Sequence, residues 1–170
     1  VSDIDKDGDL DLFVGGLADA KRFGIAQPSY LLLNDGKGNF KQADGSVIKS
    51  GNLGIVTSAS FTDLNNDGWN DLVVAGEWMA VKIFMNKNGR FTASEIQAST
   101  GLWQTIYTTD INGDGFTDIL AGNWGHNSKL YSGKNGPLKL YVKDFDGNGS
   151  VEQVMAYTLD GKEYTFLAKD

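Results

Sequence analysis

The sequence predicts an all-β protein made of short antiparallel strands, and three observations carry this prediction. A short acidic motif containing one glycine recurs four times along the chain. Each copy is flanked by short apolar or β-branched runs, which are typical of strands. The 170 residues include 22 glycines and two prolines and show no long stretch with the period of a helix. This composition favours many tight turns between short strands.

The repeated unit consists of a strand, an acidic loop and a second strand. The loops, numbered 1 to 4 here, span residues 3–11, 63–71, 110–118 and 144–152 and read DIDKDGDLD, DLNNDGWND, DINGDGFTD and DFDGNGSVE. The runs VTSASFT, QTIYTT and LKLYVK precede the last three loops, and LFVGG, LVVAG, ILAG and QVMAY follow the four. The loops start 60, 47 and 34 residues apart, and repeats at such periods indicate a structure assembled from similar units.

A second hairpin fits between one acidic loop and the next. Residues 30–40 (YLLLNDGKGNF) and 81–91 (VKIFMNKNGRF) each predict a strand, a turn and a strand, and residues 128–138 (SKLYSGKNGPL) are a looser copy. Four short antiparallel strands per unit are the pattern of a β-propeller blade. We therefore predict one incomplete propeller over residues 1–170, with about three blades plus partial ones and a trimmed blade at the short third interval.

The blade count predicts that this sequence is a fragment of a longer chain. Propellers close with about four to eight blades. In addition, Val1 and Ser2 run directly into the first acidic loop, with no strand before it. We expect the remaining blades of the parent chain to be partners of this one, because open blade faces and edges favour aggregation.

The spacing within the loops predicts cation sites. Oxygen-bearing side chains recur at positions 1, 3, 5 and 9, glycine occupies position 6, and a curled backbone directs such oxygens to one centre. Hard oxygen donors in this number suit Ca²⁺ better than Mg²⁺, zinc or copper. We predict up to four Ca²⁺ ions, with the carbonyl at position 7 as a further ligand. The predicted ligands are Asp3, Asp5, Asp7, Asp9 and Asp11 in loop 1, Asp63, Asn65, Asp67, Trp69 and Asp71 in loop 2, Asp110, Asn112, Asp114, Phe116 and Asp118 in loop 3, and Asp144, Asp146, Asn148, Ser150 and Glu152 in loop 4.

Two competing interpretations of the loops fit the sequence less well. An EF-hand needs a glutamate at position 12 and flanking helices, whereas position 12 is apolar in all four copies: Val14, Val74, Ala121 and Met155. Ordinary turns have no use for several carboxylates that repel one another. The loops hold 13 of the 22 acidic residues as candidate ligands, and four bound Ca²⁺ ions would change the net charge from −7 to +1.

Composition argues against several function classes. The net charge of −7 and the absence of a basic stripe disfavour nucleic acid and anionic lipid as partners. The absence of cysteine excludes disulfides, thiolate zinc sites and cysteine nucleophiles. No run approaches the ~20 apolar residues of a membrane-spanning helix, so we expect no membrane insertion.

The tryptophans and the single histidine are further candidates for function. The four tryptophans, Trp69, Trp78, Trp103 and Trp124, are interpreted as packing between blades, and a sugar-binding row is the alternative. Trp78 and Trp124 follow their loops at distances that differ by one residue, which without a bulge predicts opposite sheet faces. His126, with Ser128 nearby, is a weak candidate for catalysis, and we assign no catalytic residue.

The acidic loops followed by VGG, VAG and LAG resemble FG-GAP (VCBS) repeats of the integrin α-chain-like β-propeller. The resemblance covers essentially the whole chain. It implies calcium sites on one propeller face, partner binding commonly on the opposite face, and a secreted, periplasmic or surface-exposed protein, often bacterial. The chain departs from the family pattern in three ways. The Phe-Gly part of the repeat motif is poorly kept, the fourth loop ends in Glu152 rather than in an aspartate, and the blades are too few for a closed propeller.

These observations lead to a functional expectation. We expect a calcium-stabilised extracellular module for binding or adhesion, with a protein or carbohydrate ligand and a structural role for calcium. If the loops bind Ca²⁺ with Kd of about 10⁻⁴–10⁻³ M, as extracellular modules do, they fill only where calcium is abundant. The alternatives are a non-catalytic scaffold and a calcium-dependent polysaccharide lyase or hydrolase domain.

Overall fold

The computed structural model describes residues 1–49, 51–125 and 137–166, which fall into two compact units. The first unit comprises Val1–Leu17 and Ala26–Asn123, and the second comprises Ala18–Ile25 and Trp124–Asp170. The described residues form antiparallel strands joined by turns, which confirms the predicted all-β fold class. No helix in these ranges is long and apolar enough to span a membrane.

One complete four-stranded blade lies in the first unit. It is a meander of β6 (Ile55–Thr62), β7 (Asp71–Met79), β8 (Lys82–Lys87) and β9 (Arg90–Glu95), each strand pairing with the next. Loop 2 joins β6 to β7, and the predicted Asn/Lys/Gly turn joins β8 to β9. The four strands expected for one repeat are therefore present in this part of the chain.

The blade before it has three strands: β1 (Leu12–Val14), β4 (Tyr30–Asn34) and β5 (Phe40–Gln42), paired in that order. Its hairpin β4–β5 is the one predicted from the YLLLNDGKGNF run. Between β1 and β4 the chain forms a separate hairpin of β2 (Ala18–Asp19) and β3 (Arg22–Ala26). This inserted hairpin, which sequence reasoning did not anticipate, lengthens the first repeat.

The third blade of the first unit is represented by β10 (Gly101–Thr109) and β11 (Asp118–Asn123), joined by loop 3. The start of β10 also pairs with the end of β7, through Gly101 with Met79 and Leu102 with Glu77. Residues 126–136 lie outside the described residues, and with them most of the third predicted hairpin.

The second unit contains a three-stranded sheet of β12 (Lys139–Lys143), β13 (Glu152–Leu159) and β14 (Lys162–Thr165). Loop 4 joins β12 to β13. The β2–β3 hairpin packs against β12 so closely that a Cβ atom on Gly24 would lie 2.5 Å from a methyl carbon of Val142. Gly24 also has a positive φ of 87°, so this position suits glycine on both counts.

Strand β7 is buried on both faces, and each face belongs to a different core. Leu72 and Val74 point into a cluster that contains Phe84, while Val73 and Ala75 point into a second cluster. Successive strand residues face opposite sides, so an uninterrupted apolar run is what a doubly buried strand requires. The first cluster lies between the first and second blades and the second cluster between the second and third.

The outer side of the β10–β11 ribbon carries exposed apolar side chains. Tyr107 is 65% exposed and Leu120, its cross-strand partner, is 37% exposed. Ile106, the neighbour of Tyr107 on the opposite face, is buried in the second cluster. An apolar blade face of this kind is consistent with an incomplete stack of blades, as predicted.

Candidate metal centre

The four acidic loops have the same backbone structure, built around the aspartate at position 1. The N–H of the glycine at position 6 donates to this carboxylate in every loop, at 3.1, 2.7, 2.8 and 2.9 Å in chain order. In loops 2 to 4 the same carboxylate accepts additional N–H groups from positions 3 to 5. Position 1 therefore holds the loop in its curled conformation through these backbone hydrogen bonds.

Two positions of each loop have positive φ. Glycine at position 6 has φ between 84° and 100° in the four loops, as the predicted sharp turn requires. Position 4 is also left-handed, which the sequence analysis did not recognise, and two of these residues are not glycine. The residues at position 4 are Lys6 (62°), Asn66 (58°), Gly113 (78°) and Gly147 (73°). Two glycines and an asparagine at this position were the available signal, since these residues tolerate positive φ best.

The acid at position 9 closes the loop. In all four copies it accepts the N–H of position 2: Ile4 to Asp11, Leu64 to Asp71 and Ile111 to Asp118 at 3.0 Å, and Phe145 to Glu152 at 2.8 Å. Asp11 and Asp71 are completely buried. Burial raises the pKa of Asp71, whereas the N–H groups of Asn86 and Leu64 lower it.

Two asparagines complete this arrangement, and sequence reasoning missed them. The backbone N–H of Asn34 donates to the second oxygen of Asp11 at 3.0 Å, and that of Asn86 donates to Asp71 at 2.7 Å. Each asparagine also donates its side-chain amide to the carbonyl at position 8, on Leu10 and Asn70. The available signal was an asparagine near the end of the first strand in both hairpins, the last residue of β4 and the second-last of β8.

Carboxylates converge in loops 1 and 4, at positions 1, 3 and 9. Asp3, Asp5 and Asp11 each direct one oxygen into a group whose members all lie within 4.8 Å of one another. Asp144, Asp146 and Glu152 form the equivalent group in loop 4. Loops 2 and 3 have an asparagine at position 3, so an amide replaces the third carboxylate there.

Loop 1 passes a simple test of fit to a hard cation. Within the described part of the chain the Oδ1 atom of Asp3 is buried and has no hydrogen-bond partner, while its other oxygen accepts the N–H of Gly8. Loss of solvent raises the pKa of Asp5, and the charges of Asp11 and Asp7 raise it further. Converging, mutually repelling carboxylate oxygens, one of them buried with unused lone pairs, match what Ca²⁺ requires of its ligands.

In loops 2 to 4 one of positions 3 and 5 is an asparagine, and its side-chain amide donates to the aspartate at the other position. Asn65 donates to Asp67 at 3.1 Å, Asn112 to Asp114 at 3.0 Å and Asn148 to Asp146 at 2.9 Å. Loop 1 has aspartates at both positions and thus no such amide donor. The N–H groups of Gly115 and Gly149, with further backbone donors, lower the pKa values of Asp110 and Asp144.

Position 7 contributes through its N–H group. Asp9, Trp69, Phe116 and Ser150 each donate this N–H to the side chain at position 5, at 2.7 to 3.0 Å. Coordination by their carbonyl oxygens stays a prediction.

Side chains also connect neighbouring loops. The Trp69 ring of loop 2 lies 4.3 Å from the Lys6 ammonium of loop 1, and Asn66 of loop 2 donates to the Gly115 carbonyl of loop 3 at 2.8 Å. Loops 1, 2 and 3 are therefore neighbours within the first unit.

The other residues considered for function have separate environments. Trp103 donates its indole N–H to Ser99 and packs against the second cluster, so it is an inter-blade residue as interpreted. Trp78 is half-buried at the β7–β10 bulge with a φ of 61°, and Trp124 is 45% exposed. His126 and Ser128 lie outside the described residues.

Comparison with known families gives one match. A family model described as FG-GAP-like repeat matches residues 3–74 and 63–121. Both matches begin on the first aspartate of an acidic loop, so the family repeat has the register inferred from the sequence. Loop 4 lies beyond the matched residues. Comparisons with curated proteins and with solved structures gave no significant match.

Replacing Gly115 with alanine tests the left-handed turn at position 6. Gly115 has a φ of 86° and open space around its Cα, so Gly115→Ala should destabilise the protein by about 1–2 kcal/mol through backbone strain alone. Gly45→Ala is the matched control, because Gly45 also has open space but an ordinary φ. Urea unfolding of both variants measures the difference, and equal stabilities would contradict the assignment.

The closing role of position 9 is testable without any metal. In excess EDTA, Asp71→Asn should cost about 1.5–3 kcal/mol, because the buried amide nitrogen cannot accept one of the two N–H groups. Asp67→Asn serves as control, since this exposed side chain retains the oxygen that Trp69 needs, loses only the exposed hydrogen bond from Asn65, and should change stability by no more than about 0.5 kcal/mol. A tolerated Asp71→Asn substitution would show that the acid at position 9 is not a backbone anchor.

Proposed function

The chain belongs to the FG-GAP-like repeat family, and on this premise we propose that it is a calcium-stabilised propeller-type module that binds a protein or glycan outside the cytoplasm. FG-GAP repeats are typically extracellular and generally non-catalytic domains. In this proposal calcium has a structural role, and the blades present a rigid surface to the ligand.

The convergence of carboxylates in loop 1 is the observation that supports the calcium site most directly. Asp3, Asp5 and Asp11 direct oxygens to one centre, and Asp3 Oδ1 is buried without a hydrogen-bond partner among the described residues. The backbone N–H groups that stabilise Asp11 approach it from Ile4 and Asn34. Carboxylates that repel one another around such an oxygen gain most from a small divalent cation with oxygen preference.

Calcium suits these sites better than other common cations. All candidate ligands are oxygens, so they offer nothing to select the softer transition metals. Mg²⁺ retains its own waters and demands strict octahedral geometry, whereas Ca²⁺ accepts six to eight oxygens in flexible arrangements. Candidate ligand carboxylates make up 13 of the 22 acidic residues, so the ions would also relieve most of the net charge of −7.

The ligand surface is proposed at the end of the blades opposite the acidic loops. In the complete blade, loop 2 joins Thr62 to Asp71, whereas Ile55 pairs with Glu77 at the other end of the same strands. Glu77 accepts a hydrogen bond from exposed Gln104 at 2.9 Å, and Trp78 follows it in a strained conformation. This end of the blade thus carries an amide, a carboxylate and a half-buried tryptophan, the residue types that supply hydrogen bonds and stacking to sugars and polar peptides.

Calcium removal is the direct test of the structural role. Ca²⁺ at about 10 mM, which is roughly ten to a hundred times a Kd of about 10⁻³–10⁻⁴ M, should raise Tm by several degrees relative to EDTA, because it stabilises the native state by about 1.4–2.7 kcal/mol per site. Differential scanning calorimetry measures the shift, with Mg²⁺ at equal concentration as control. Identical transitions in Ca²⁺ and EDTA would refute the calcium proposal.

Ligand binding is tested by comparing two tryptophans at opposite ends of one blade. On arrays of glycans and extracellular proteins, the calcium-loaded chain should bind a defined subset, and Trp78→Ala should lose this binding because it removes the ring at the proposed surface. Trp69→Ala, at the loop end, is the control and should retain it. Equal effects of the two substitutions would contradict a ligand surface at the end opposite the acidic loops. In a separate incubation with polysaccharides, the appearance of new reducing ends would favour an enzyme instead.

A further inference from the structure

Asn86, a buried residue of β8, connects the two neighbouring acidic loops 1 and 2. It is only 1% exposed, and its backbone N–H donates to the Asp71 carboxylate of loop 2 at 2.7 Å. Its side-chain Nδ2 donates to the Ile4 carbonyl of loop 1 at 2.8 Å and to the Asn70 carbonyl of loop 2 at 3.1 Å. A single side chain therefore bridges both loops.

The connection continues to the closing carboxylate of loop 1. Ile4, whose carbonyl accepts from Asn86, donates its own N–H to Asp11 at 3.0 Å. Three consecutive buried hydrogen bonds thus join the two position 9 carboxylates, in the order Asp71, Asn86, Ile4 and Asp11. A displacement of either carboxylate is transmitted through short, directional contacts.

Asn86 makes these bonds at the expense of its own oxygen. Its Oδ1 atom is buried and finds no hydrogen-bond partner in residues 1–49, 51–125 and 137–166. Leaving a buried acceptor unsatisfied costs free energy, which an apolar side chain of similar size would avoid. The benefit of asparagine at this position therefore lies in the two N–H groups of its side-chain amide. One donates to Asn70 in loop 2 and the other to Ile4 in loop 1.

Asn34 is the natural comparison, because it occupies the equivalent place in the preceding blade. Its N–H donates to Asp11 and its side chain donates to Leu10, so both bonds go to loop 1 alone. Asn34 and Asn86 thus share the role of holding their own loop. The additional bond to a second loop distinguishes Asn86.

We propose that Asn86 is a positioning residue that couples the cation sites of loops 1 and 2, so that an ion in either loop raises the affinity of the other. This inference rests on the proposed calcium function. An ion in loop 2 fixes Asp71, and Asn86 then restrains Ile4 and Asp11 before the second ion arrives. Binding of the second ion then loses less conformational entropy, because loop 1 is already ordered. The coupling free energy is the same whichever loop is filled first.

The sign of the coupling separates this mechanism from simple electrostatics. Two divalent ions in neighbouring loops repel each other, which would weaken the second binding event and become smaller with added salt. Coupling through Asn86 strengthens the second event and does not depend on salt screening, because its hydrogen bonds are buried.

Calcium titration followed by amide hydrogen exchange tests the proposal on the full chain. Peptides covering loops 1 and 2 report each site separately, and Asp67→Ala disables loop 2. Asp67→Ala should lower the apparent Ca²⁺ affinity of loop 1 by about fivefold or more when Asn86 is present. In an Asn86→Ala background, which retains the backbone N–H to Asp71, the same substitution should have little effect on loop 1.

Asn34→Ala is the matched control. It should lower the Ca²⁺ affinity of loop 1, but Asp67→Ala in loop 2 should still reduce that affinity further. Coupling that persists in Asn86→Ala, or binding in the parent chain that is independent or negatively coupled, would overturn the inference and leave the calcium function intact. Absence of any Ca²⁺ response in all four loops would instead overturn the proposed function, and the inference with it.

A folding defect would not leave the question open. If Asn86→Ala lacks a cooperative thermal transition, Asn86→Ser replaces it, since serine is polar but too short to reach the Ile4 carbonyl. Independently of either variant, the comparison between the parent chain and Asp67→Ala tests the coupling itself. A loop 1 affinity that is unchanged by Asp67→Ala overturns the proposal directly.

Discussion

Every acidic loop is closed by a hydrogen bond from the N–H of position 2 to the carboxylate of position 9, and the other features of the loop depend on this contact. In Asp11 and Asp71 both oxygens accept N–H groups although the side chains are completely buried. Burying a carboxylate is very costly unless charge-assisted hydrogen bonds replace its hydration. The acid at position 9 is therefore needed by the backbone itself, apart from any ion.

The remaining carboxylates divide into two classes. In loops 2 to 4 position 1 accepts several backbone N–H groups, so the curled chain largely satisfies its charge, whereas in loop 1 the Asp3 carboxylate accepts the N–H of Gly8. In loops 2 to 4 an asparagine amide links positions 3 and 5, whereas loop 1 has aspartates at both positions, and loss of solvent with the charges of Asp11 and Asp7 raises the pKa of Asp5. Because no amide lies between the carboxylates of loop 1, a bound cation would relieve more repulsion there than in the other loops.

The sequence predicted those features that repeat locally and missed those that depend on backbone conformation or on distant residues. Alternating oxygens and the glycine at position 6 are visible in one motif, and the strands around them follow from short apolar runs. The left-handed backbone of Lys6 could not be read from its residue type, because lysine rarely adopts it. The roles of Asn34 and Asn86 arise only when a hairpin folds back on the loop, across 23 and 15 residues.

Position 2 explains why the loops and the cores are not independent. The N–H of Ile4 closes loop 1 and its carbonyl accepts from Asn86, while its side chain is fully buried in the cluster between the first two blades. Leu64 has the same N–H contact in loop 2, and its side chain packs against the second cluster. Whatever orders a loop therefore also fixes a residue of an inter-blade core. Stabilising the loop end of the blades and stabilising their packing are one process, because the same residue takes part in both.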